Sequence, residues 1–167
     1  MNAQETTTVR CAGSIETDHP LAETLDGRSD IFAMTEQAHD AALTPVDPGG
    51  LTHAERAALA CRMARLNAED DLAHHFEGLL TSANPTDTAM HIADPKYDGG
   101  SDTRLTALIR YTDLVTRDTK SVVAADISAL TDTGVSEDDI VRLSELVAFV
   151  NYQARVVRGL RLLAGAS

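Results

Sequence analysis

The feature that most constrains this chain is the spacing of its apolar residues. Near the C-terminus Ile140, Leu143, Leu146, Val147, Val150, Val157, Leu160 and Leu163 recur at three- and four-residue intervals, the period of one face of an α-helix. The same interval recurs upstream. No stretch of strand length alternates apolar and polar residues in the manner of a half-buried β-strand. Aromatic residues make up only 4% of the chain and tryptophan is absent, so aliphatic side chains must fill the interior. The fold class expected is all-α, and 167 residues suffice for a single domain with a real core.

Punctuation divides that pattern into elements. Residues 1–29 carry Thr, Glu, Asp and Gly without apolar period, and read as a flexible lead-in. Asp30 is placed to cap a helix through Ile31, Phe32, Met34, Ala38, Ala41, Ala42 and Leu43, which the Pro- and Gly-rich run 44–50 ends. Thr52 and Glu55 form a T-x-x-E capping box. From there Leu59, Met63 and Leu66, with small Ala58 and Cys61, line one side of a helix. The polar run Asn67–Asp71 interrupts the pattern, which resumes at Leu72, Phe76, Leu79 and Leu80, so two helices hinged at Asn67 are expected.

Residues 84–102, rich in Pro, Asp and Gly, read as a long surface connection. A helix from about Ser101 or Asp102 to Thr116 follows, with Leu105, Leu108, Ile109 and Leu114 as core candidates. A shorter one covers Val122–Leu130, and Thr133-Gly134 breaks it. Ser136 and Asp139 resemble a second capping box, opening a last helix that runs to about Ala164. The domain is thus expected over 30–167, in halves 30–83 and 101–164.

Charge excludes some functions. Fourteen basic residues against twenty-six acidic ones give a net charge of −12, which repels phosphate backbones and anionic lipid, so neither nucleic acid nor membrane is expected as a partner. No stretch reaches the roughly 18 apolar residues of a spanning helix. The opening MNAQETTTVRCAGSIETDHP is polar and acidic, unlike a secretory signal. Cys11 and Cys61 make neither a CxxC nor a metal spacing. A reduced cytoplasmic protein without cofactor or metal is the simplest expectation.

Leu51-Thr52-His53-Ala54-Glu55-Arg56, with ALACRMARLN over 58–67, resembles the opening of the AhpD-like superfamily of alkylhydroperoxidases and carboxymuconolactone decarboxylases. RLTALIRYTDLVTRD and VVAADISALTDTGVSEDDIVRLSELVAFVNYQARVVRGLRLL resemble its second half. The likeness covers roughly 30–164 and is densest over Gly134–Leu163. It implies an all-helical fold that assembles as trimers, or as hexamers built from trimers. It also implies hydroperoxide reduction by a cysteine pair in an N-G-C-x-x-C-x-x-x-H motif, with a glutamate on the preceding helix. One thiolate attacks the peroxide and the second thiol resolves the sulfenic acid. Laid through Asn67, that motif puts Ala68 at the glycine, Glu69 at the first cysteine, Leu72 at the second, Phe76 at the histidine and Ala57 at the glutamate. Sliding by one to seat His75 still leaves Ala68 and Asp71 where sulfur belongs. The thiol cycle is therefore expected to be absent.

Other chemistry remains possible at that corner. Glu69, Asp70, Asp71, His74 and His75 cluster there, and in a helix Asp70–His74 and Asp71–His75 are i,i+4 pairs. A carboxylate can orient an imidazole as a general base; equally, such residues form an acidic first turn with solvated histidines. His91, in the 84–102 connection, completes a metal site only by accident of folding. Cys61 reads as a small buried hydrophobe, or as the thiol of a one-cysteine peroxidase. Asn151, Tyr152 and Arg155 place polar groups in an otherwise apolar helix. They can line a pocket for a small anionic ligand, fill a subunit interface, or pair with Glu145 and Asp139. Arg155, Arg158 and Arg161 lie near the helix C-terminus, where cations are favoured. Three functions stay open: an auxiliary non-thiol member of the superfamily; a cofactor-free decarboxylase or isomerase using His75 or His74, Asp71 or Asp70, and Arg155; and a hydroperoxidase working through Cys61.

Overall fold

The computed structural model describes residues 7–13, 15 and 18–165, Arg10 and Cys11 by their backbone alone. Every regular element among them is helical. In chain order these are α1 (Thr8–Ala12), α2 (Ala22–Asp26), α3 (Ser29–Leu43), α4 (His53–Leu66), α5 (Asp70–Ser82), α6 (Asp87–Ile92), α7 (Thr103–Asp118), α8 (Ala124–Asp132) and α9 (Glu137–Gly165), with a 3₁₀ turn at Thr119–Ser121. No helix of the described residues is long and apolar enough to cross a membrane.

Helix α4 is the axis of the molecule. Its capping box forms as the sequence predicts: Glu55 N–H donates to Thr52 Oγ1 at 3.2 Å, and Thr52 N–H donates to the Glu55 carboxylate at 2.9 Å. Its burial is not one-sided, however. Ten of its fourteen residues are buried, from Ala54 to Ala64, because alanines at 54, 57, 58, 60 and 64 let neighbours close in on every side. Helices α3, α5, α6, α7 and α9 all pack on it. One hydrophobic cluster runs from Val9 to Leu160 through both halves of the chain.

Two arginines inside that core organise the connections around α4. Arg56 donates to the carbonyls of Leu51, Ala42 and Pro48 at 2.9–3.0 Å, fastening the α3–α4 connection. Burial, and then the nearby Arg142, lower its pKa from the ordinary guanidinium value. Arg62, 2% exposed, makes a forked pair with Asp113 at 2.6 and 2.8 Å. It also donates to the carbonyls of Ile92, Asp94, Pro95 and Tyr97 at 2.6–3.3 Å.

Three expectations need correction. The 84–102 segment is not a plain surface connection: it contains α6, buries Ala89 and Ile92, and is bolted down by Arg62. A charged residue among apolar neighbours gives no hint of this, since its partners lie 30 and more residues away. Within 1–29, residues 1–6, 14, 16 and 17 lie outside the described residues. The rest forms α1 and α2, with Val9, Ala12 and Ile15 in the core beside α9. Those few apolar residues are too short a run to show a period. Finally, α3 starts at Ser29 with no side-chain cap, so Asp30 lies in the first turn.

Candidate functional site

The corner between α4 and α5, where the resemblance puts the family's chemistry, is built from α9. Helix α4 ends at Asn67, whose Nδ2 donates to Met63 O at 2.9 Å and to Asn151 Oδ1 at 3.0 Å. Ala68 then turns left-handed, at φ 56°, a conformation that costs any residue with a Cβ. The turn delivers Glu69 inward, with its N–H on Ala64 O at 3.0 Å.

Glu69 is 1% exposed. Its Oε1 accepts from Arg158 Nε at 2.9 Å and its Oε2 from Arg161 at 2.6 Å. Arg158 also donates to Asn67 O at 2.8 Å. Arg161 reaches further, to the Ala12 carbonyl at 2.9 and 3.0 Å and to Asp71 Oδ2 at 2.8 Å. The two arginines therefore do more than complement the end of α9. They tie the α4–α5 corner and α1 to it, and the Glu69 carboxylate is spent on that tie.

The expected carboxylate–imidazole pairs do not form. Asp71 goes to Arg161, and no hydrogen bond joins it to His75. Asp70 and His74 are both exposed, and no hydrogen bond joins them. His75 instead turns toward α3, where its Nε2 lies 2.9 Å from Nε2 of His39. His39 is buried, with its Nδ1 3.2 Å from Asp40 Oδ1. A carboxylate only accepts, so His39 donates from Nδ1, and a neutral His39 then accepts at Nε2 from His75. Phe76 stacks on His39 with ring centres 6.3 Å apart, and Phe149 meets it edge-on. Burial, and then His39, push the His75 pKa down to about 4. An imidazole tuned that low is a weak base at neutral pH. His39 lies thirty-six residues before His75, and no local pattern in the sequence links the two.

Cys61 is fully buried, its thiol 3.4 Å from Ala73 O. Burial raises its pKa above the ordinary thiol value, so the reactive thiolate is disfavoured. The side chain of Cys11 lies outside the described residues. His91 packs against Tyr97 at a ring distance of 5.5 Å. Among the described residues no three His, Cys, Asp or Glu side chains group as metal ligands.

The three polar residues of α9 diverge. Asn151 faces inward and is a structural hub, donating to Val147 O at 2.9 Å and Thr116 Oγ1 at 3.3 Å while accepting from Asn67. Tyr152 is half-exposed, with its hydroxyl 3.3 Å from Thr35 Oγ1. Arg155 is exposed and donates to its own helix at Asn151 O. Of the acids expected to serve them, Asp139 instead sits in the first turn of α9, its N–H donating to the capping Ser136 Oγ, and its carboxylate accepts from Ser136, Gly50 N–H and Arg142. Burial alone would raise its pKa, but the bonds from Ser136, Gly50 and Arg142 outweigh it and hold the carboxyl below its ordinary value.

Clefts of about 570, 550 and 370 Å³ lie elsewhere: over α3 beside Phe32 and Glu36, beside His53 and Arg104, and between α7 and α8. None of the three is lined by Glu69, His75, Asn151 or Arg155. Fully buried Gln153, on α9, has no hydrogen-bond partner among the described residues at either amide atom. Compared with models of known protein families and with curated proteins, the chain matches none.

Proposed function

We propose that this chain is an auxiliary, self-associating member of the AhpD-like superfamily, cytoplasmic and peroxidase-related by descent, in which a structural ion pair replaces the redox-active cysteine pair. The observation that carries this reading is Glu69. In the register of the resemblance it stands at the first cysteine, and it is 1% exposed and clamped by Arg158 and Arg161. A thiol cycle needs a nucleophile that meets substrate; this position serves packing. Ala68 adds support, because it takes a glycine-like left-handed φ at the place the motif gives to glycine. Cys61, buried and with a raised pKa, is poorly suited to take over.

The test is hydroperoxide consumption by the purified protein with a dithiol reductant. Wild type and Cys61→Ser should both match the protein-free blank. Turnover that disappears in Cys61→Ser would overturn the reading and make this a one-cysteine peroxidase. In parallel, Glu69→Ala should lower unfolding stability by about 2 kcal/mol. That figure lies below the range for breaking a fully buried pair, because Arg158 is more than half exposed.

A further inference from the structure

Helix α9 is twenty-nine residues long, and one face of it is largely exposed, touched among the described residues at Tyr152, whose hydroxyl lies 3.3 Å from Thr35 Oγ1. Val141, Glu145, Ala148, Tyr152, Arg155 and Gly159 are all exposed and fall at intervals of three or four residues, so they form a single stripe about 27 Å long. Val141 is 57% and Tyr152 42% exposed. Gly159 sits inside the helix, where glycine is unfavourable, and a Cβ there would touch nothing. Neither Glu145 nor Arg155 forms an ion pair among the described residues. In a chain of net charge −12, these six residues carry one acid and one base; exposed Glu137 continues the stripe one turn before Val141, and exposed Leu163 one turn after Gly159.

The order of the six residues has a symmetry. Ala148 and Tyr152 stand two positions to either side of Val150, Glu145 and Arg155 five positions, and Val141 and Gly159 nine. Each pair is complementary: small with aromatic, acid with base, branched with glycine. We propose that a second copy of this chain docks on the stripe, antiparallel, about a two-fold axis at the level of Val150. That operation sets Tyr152 over the second copy's alanine, each Glu145 against the opposite arginine, and Val141 into the gap left by glycine. An isologous contact of this kind is self-complementary. A parallel pairing would set Glu145 on Glu145 and Arg155 on Arg155, where like charges repel. Over these six residues two acidic molecules therefore meet with opposite charges paired.

This proposal rests on the self-association in the reading above and adds its surface and symmetry. The hydroperoxide assay does not depend on it, so each can fail alone. Sedimentation of the full chain at about 1–100 μM should give a dimer or an assembly of even number. Glu145→Arg and Arg155→Glu should each weaken the dissociation constant by about tenfold or more, since two symmetric pairs turn repulsive at once. The double variant should restore it to within a few-fold. Both positions are exposed, and circular dichroism checks that the three variants remain folded. A monomer at every concentration, a trimer, single reversals without effect, or a double variant that does not recover would each overturn the proposal.

Discussion

Ala68 is where the backbone is most plainly at odds with its side chain. At φ 56° the Cβ crowds the carbonyl, and glycine would remove that cost. Ala68→Gly should stabilise the chain by about 1 kcal/mol, read as a higher urea midpoint at constant slope; an unchanged or lower midpoint would show that the turn is not strained. His75 makes a second prediction. Its pKa falls from 6.5 to about 4 on folding, so between those values the unfolded chain takes up a proton that the folded chain refuses. Stability is therefore full above pH 6.5, declines as pH falls toward 4, and is not lowered further by this group below that. The ring is partly exposed, and solvent screening holds the effect to about 1 kcal/mol. His39 is the titratable group that faces it, and His39 in turn meets Asp40 through its other ring nitrogen. Replacing the ring by His75→Gln should flatten the slope between pH 6.5 and 5, above the range of ordinary carboxylates. A slope that persists in the variant belongs to other groups.

At the scale of elements, the two buried arginines of α4 replace what turns and strands provide in other folds. Arg62 gathers the carbonyls of Ile92, Asp94, Pro95 and Tyr97 and the Asp113 carboxylate, so it joins α4, the end of α6 with the segment after it, and α7. Arg62→Leu should cost about 3 kcal/mol, by leaving a carboxylate and several carbonyls unpaired. Hydrogen exchange should rise first in the amides of 92–100. Arg62→Lys should not rescue it, because an ammonium cannot make the fork. Uniform acceleration along the chain would mean that the arginine supports the whole core rather than this segment. The capping box at Thr52 and the stop at Gly134 (φ 84°) behave as local sequence dictates. The 84–102 segment does not, because what orders it lies on another helix.

For the whole molecule, Cys61 is a built-in reporter. It lies fully buried in the most enclosed helix, so a thiol reagent should reach it only through global opening. In a Cys11→Ser background the free energy from labelling should match that from urea unfolding and share its urea dependence; fast labelling insensitive to urea would reveal a local breach near α5. What the sequence by itself determined is the part governed by near neighbours. Apolar period made the chain helical, the T-x-x-E box started α4, and Asn67 hinged it into α5, since caps and periods act within one or two turns. The absence of a cysteine pair at that hinge was equally legible. What only the tertiary structure decided is the use of the charged residues. Glu69 and Asp71 face arginines ninety positions away, and His75 faces a histidine on α3 rather than the carboxylate one turn before it. Helical spacing states which side chains can meet along one helix. Which helix lies opposite is settled by how the aliphatic faces pack, and the buried charges then pair with whatever that packing brings within reach.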